Sequence, residues 1–255
     1  MHWLGHGRRH TTIMRTGSDI SGIASLCPTA HSEGVDATQV PLSDTETVFI
    51  GLAVAAVVVI PATWRLTGHF YVMGHEGMHG VVGSMSGRSI TGIELNSDAT
   101  GGTWVVPPTG TGYTIAAFFG YLGSSLFGLG AARLIQFGHI LVILWLIIGL
   151  LAVLLISLKR RSFGFITVPL AGFLIYLVLK HTSQSAQMVT VYAITWFLLF
   201  SGVRGIVEDG LKAGDAGILS GITSIPRFVW FALWVAGTGA AVVIGARWML
   251  HPAVH

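Results

Sequence analysis

The sequence predicts an all-α integral membrane protein of six to seven transmembrane helices, with a small β-hairpin after the helix that carries His75-Glu76-Gly77-Met78-His79. Three observations lead there. Of 255 residues, 52% are hydrophobic and only 10% charged, with a mean hydropathy of +0.72; soluble domains carry about 25% charged residues. Several apolar runs approach the roughly 20 residues that a bilayer crossing needs. After the motif, SITGIELNSDATGGTWVVPP alternates apolar and polar residues around a Ser-Asp-Ala-Thr-Gly-Gly turn, the pattern of a hairpin.

Residues 1–45 hold no long apolar run and read as a disordered polar tail without a secretory signal. Its His2, His6, His10 and His31 are irregularly spaced, as incidental histidines are. Residues 46–255 form the multi-pass membrane domain. Its first run extends from about Val48 to Trp64, and the motif helix from about His69 to Met85. Further runs cover Ile115 to Ile135, His139 to Leu158, Phe163 to Leu179, Gln187 to Val203 and Phe228 to Met249. The count is six or seven according to whether the motif helix fully spans. Gly120, Gly123, Gly128 and Gly130 suit close helix packing in lipid. Lys159, Arg160 and Arg161 form the only cluster of three basic residues, which the positive-inside rule places in the cytoplasm. Counting outward puts the N-terminus, residues 87–113 and residues 204–227 on that same face of the cell membrane. The net charge of +3 and pI near 9.3 come from scattered basic residues, which mark topology and exclude a nucleic-acid surface. The single Cys27 excludes a disulfide framework and a cysteine zinc cluster.

Five of the six acids beyond Val48 fall in or near polar segments; Glu76 lies within an apolar run. A charge at mid-bilayer costs at least about 2.5–3.5 kcal/mol, so Glu76 needs a reason to be there. At i and i+4 on a helix, His75 and His79 share one face and can offer two imidazoles to one zinc ion. Glu76 is placed to act as general base toward water activated at that zinc. The plainer alternative is a metal-free polar network between helices. A catalytic zinc has three protein ligands and an open position, and the third is open among Glu94, Asp98, Glu208, Asp209 and Asp215, with His69, His139 and His181 at predicted helix ends.

The chain resembles the site-2 protease family of intramembrane zinc metallopeptidases, in particular its compact bacterial and actinobacterial branch. The resemblance rests on HEGMH, the hairpin with Gly-Gly-Thr-Trp, the helix FFGYLGSSLFG and the block GDAGILSGITSIPRFVWFALW. It implies zinc (Zn2+) as cofactor, His75 and His79 as ligands, Glu76 as base, and Asp215 as third ligand with Asp209 competing. It also implies hydrolysis of a peptide bond in or near a membrane-embedded peptide or protein substrate within the lipid bilayer. The family's helical asparagine has no counterpart, since Asn96 on the hairpin is the only asparagine. The hairpin reads either as an ordinary connection or, at its edge from Ile93 to Leu95, as a strand that holds an unwound substrate. A non-proteolytic membrane protein with a structural or transport zinc site is the alternative. Oligomeric state leaves no signal in the sequence.

Overall fold

The computed structural model of the chain describes residues 39–209 and 214–253; the tail histidines His2, His6, His10 and His31, and Cys27, lie outside them. Among the described residues the order is α1 (Asp44–Val59), α2 (Pro61–Met85), β1 (Ser89–Leu95), β2 (Gly101–Val106), α3 (Thr111–Gly120), α4 (Gly123–Gln136), α5 (Ile140–Ser157), α6 (Gly164–His181), α7 (Gln184–Asp209), α8 (Asp215–Thr223) and α9 (Arg227–Leu250). The chain is a multi-pass membrane protein. Helices α5, α6, α7 and α9 are each long and apolar enough to cross a bilayer. Two more candidates are bent pairs, α1 with α2 at 98° and α3 with α4 at 71°; counting each pair as one span gives six.

The first bend relocates two expected boundaries. The first run stops at Val59 rather than Trp64, and the motif helix starts at Pro61 rather than near His69. Proline has no N–H to donate, and it pushes Ile60 into extended backbone at φ −70°, ψ 123°. Pro61 then serves as a first-turn residue of the new helix. His69 is therefore interior to α2, not at a helix end. The run from Ile115 to Ile135 divides at Tyr121 and Leu122, between two glycines of low helix propensity.

Helix α4 packs against α7 and α9, and α1 against α7, around fully buried Ile135, Ile140, Leu144, Tyr192, Leu199 and Met249. Where α2 meets α4, a methyl on Gly123 would stand 2.6 Å from both the Gly74 carbonyl oxygen and Met78 Cβ. Only hydrogen fits there. A methyl on Gly128 would likewise stand 2.9 Å from the Leu199 nitrogen of α7, whereas Gly130 faces open space and makes no such approach.

The hairpin pairs Ile93 with Thr103 and Leu95 with Gly101. Its expected free edge at Ile93 to Leu95 is already taken. Lys159 N–H donates to the Ile93 carbonyl (2.8 Å), Phe163 N–H to the Leu95 carbonyl (2.9 Å), and Leu95 N–H to Ser162 Oγ (2.9 Å). The α5–α6 loop thus satisfies the backbone groups that an edge strand would leave bare. Lys159 Nζ also sits 3.0 Å above the Trp104 ring, so the basic cluster and the hairpin share one end of the molecule.

Candidate metal centre

The periodicity of α2 sets His75 and His79 on one face, and packing elsewhere delivers a carboxylate to them. On α8, Ala216 and Leu219 are buried against Ala117, Tyr121 and Trp234. The Trp234 indole N–H donates to the Phe118 carbonyl at 2.8 Å, tying α9 to α3. That packing presents Asp215, the first residue of α8, to α2. Its Oδ2 lies 3.3 Å from His75 Nε2 and 3.2 Å from His79 Nε2, and the two Nε2 atoms are 3.2 Å apart. The three side chains are only 9–14% exposed.

This donor set fits a zinc ion. Four ligands at about 2.0–2.1 Å in a tetrahedron stand roughly 3.3 Å from one another, which matches the three separations. Proton placement agrees. His79 Nδ1 lies 2.8 Å from the Ala116 carbonyl, and donating there puts the proton of the neutral ring on Nδ1. Nε2 then turns a lone pair toward the Asp215 oxygen, an opposition that a cation between them relieves. Gly120 is part of this arrangement, because a methyl there would overlap the His79 imidazole. Gly120→Ala is expected to displace the ring and weaken zinc binding by at least about tenfold, on the scale of disturbed ligand support. Competition against a chromogenic zinc chelator measures this directly.

Glu76 is 4% exposed, and the Thr103 hydroxyl of β2 lies 2.8 Å from its Oε2. Both line a cavity of about 580 Å³ together with His75, His79, Asp215 and Tyr113. No other acid whose side chain is described joins the cluster, although Asp98 and Glu208 line the same cavity. Glu94 faces Gly102 across the hairpin. Asp98 accepts the Thr100 hydroxyl (2.6 Å) and N–H (3.1 Å) in the turn, bonds that hold its carboxyl below the ordinary range. Glu208 accepts the Trp64 indole N–H at 2.7 Å. Asp209 ends α7, and its side chain lies outside the described residues. His139 precedes α5, His181 ends α6, and the His69 ring packs 5.5 Å from Phe163; none of them joins the cluster. Sequence reasoning missed Thr103, quoted only within Gly-Gly-Thr-Trp. It also missed the Ala116 carbonyl, a backbone group with no sequence signature.

A protein-family model described as Peptidase M50B-like matches residues 48–245. No curated protein and no solved structure matches the chain.

Proposed function

The chain belongs to the Peptidase M50B-like family, and from that premise we propose that it is an intramembrane zinc metalloendopeptidase, cleaving a peptide bond in or near a transmembrane segment of its substrate. The observation that carries this reading is the convergence of His75, His79 and Asp215 on one point, beside buried Glu76, in a cavity lined by α2, the hairpin, α3 and α8. His75, His79 and Asp215 would hold the zinc. When bound, zinc supplies Lewis-acid polarisation of a carbonyl and lowers the pKa of water toward neutrality.

The remaining work falls to the chain itself. The Ala116 carbonyl orients His79. Glu76 takes a proton from the attacking water and passes it to the leaving amine. The cavity's carboxylates, imidazoles and hydroxyls make a wet pocket within an apolar protein, so water and an unwound peptide can meet there. Unwinding is required because a helical substrate's carbonyls are held in intrahelical hydrogen bonds. The basic loop at Lys159 to Arg161 supports a cytoplasmic position for this end of the molecule.

The test is metal dependence. Detergent-purified protein should contain about one zinc per chain, the number that a three-ligand catalytic site implies. It should cleave a panel of quenched-fluorescence transmembrane peptides whose Leu/Ala spans are interrupted at different positions. A chelator should abolish cleavage and added zinc restore it. Folded protein that takes up no zinc after supplementation would leave only the polar-network reading.

A further inference from the structure

The base is held by a strand on which its reaction has no other evident claim. Glu76 sits on α2, yet the hydrogen bond to its carboxylate comes from β2, 27 positions along the chain. Thr103 Oγ lies 2.8 Å from Glu76 Oε2 and 3.0 Å from the Glu76 backbone carbonyl. A hydroxyl has one proton, and the charged oxygen is both the nearer and the stronger acceptor. The neighbouring strand residue closes the other side. A methyl on Gly101 would stand 2.8 Å from Glu76 Cγ, 2.9 Å from Oε1 and 2.9 Å from Val72 Cγ1. Strand β2 therefore presses against the whole carboxylate, anchoring one oxygen by hydrogen bond and leaving the other against bare glycine backbone.

A glutamate has three rotatable side-chain bonds, and a base that swings has no fixed distance to the proton it must take. We infer that Thr103 is a positioning residue for Glu76: its hydroxyl ties Oε2 to the hairpin so that Oε1 is the oxygen that receives the proton. The inference rests on the protease reading above. It makes strand β2 part of the catalytic apparatus, with the missing side chain of Gly101 letting the Glu76 carboxylate lie against that strand.

The test compares Thr103→Val, which keeps shape and removes the hydroxyl, with Thr103→Ser, which keeps the hydroxyl. On the interrupted-span peptide panel, Thr103→Val should lower kcat by about 10- to 100-fold with KM within about twofold, the scale of a misplaced catalytic group. Zinc per chain should not change. Thr103→Ser should recover kcat to within about threefold of wild type, since the same charge-assisted bond is restored. Thr91→Val on β1, whose hydroxyl reaches only the Trp104 carbonyl at 3.4 Å, should leave kcat within about twofold, as expected for a weak exposed hydrogen bond. A second readout needs neither zinc nor turnover. The infrared carboxylate band of Glu76, identified by its loss in Glu76→Gln, should shift in metal-free Thr103→Val and return in Thr103→Ser. Should valine prevent folding, Thr103→Ala repeats the comparison.

Equal activity of Thr103→Val and wild type, or an equal fall for the valine and serine variants, overturns the positioning role while leaving the protease reading intact. Wild-type protein that binds zinc and cleaves no peptide of the panel removes the protease reading instead. In that case an unshifted Glu76 band in Thr103→Val also removes the contact.

Discussion

Glu76→Gln should reduce peptide cleavage by about 10²–10⁴-fold, the range of general acid–base catalysis, while zinc stays at about one per chain as the unchanged ligands dictate. Glutamine keeps the length of the side chain and can still accept the Thr103 hydroxyl through its amide oxygen, so the pocket keeps its shape. What it loses is the ability to take a proton. Because Glu76 stands outside the cluster of His75, His79 and Asp215, metal binding has no direct reason to change. A transport or structural zinc site would be indifferent to the substitution, so the pair of readouts separates the two classes of function. Cleavage above a tenth of wild type, or zinc lost in step with the histidine variants, would contradict the assignment of Glu76 as base.

Asp215→Ala should empty the site. The apparent zinc-binding free energy of a four-ligand protein site is about 10–16 kcal/mol, so removal of one ligand costs on the order of 3 kcal/mol, or about 100-fold in affinity. The loss is compounded because His75 and His79 alone would leave two positions open. Cleavage should disappear with the metal and return partly at high zinc, which Glu76→Gln should not do. Asp209→Ala is the companion measurement. If Asp209→Ala released zinc and Asp215→Ala retained it, the short contacts of Asp215 with the two imidazoles would be an ion pair only, and Asp209 the third ligand.

The resemblance to site-2 proteases holds at the level of the family. Its finer content was unevenly legible. Spacing alone brought out His75 and His79, because i and i+4 on a helix are neighbours in any fold. No spacing rule connects residue 75 to residue 215, and each of Glu94, Asp98, Glu208 and Asp209 had a comparable claim. The packing of Ala216 and Leu219 beside Trp234 sets Asp215 at the histidines, while the hairpin turn and the Trp64 indole occupy Asp98 and Glu208. The bend at Pro61 was written in the sequence but outweighed by continuous hydrophobicity on both sides of it. The occupied edge of β1 was not written there at all, since its partners come from a loop more than 60 residues further on.

Sequence by itself determined the membrane class, the hairpin, the histidine pair and the acid beside it. Each is a local property: hydropathy over one bilayer thickness, alternation over one strand, one turn of one helix. Tertiary structure alone decided which carboxylate meets the histidines, which hydroxyl holds Glu76, which strand edge is covered and where the long apolar runs bend. Those outcomes depend on side chains distant in sequence competing for the same few ångströms. Among the described residues, the competition is resolved by small side chains, with Gly101 making room for Glu76, Gly120 for His79, and Gly74 and Gly123 for the contact between α2 and α4.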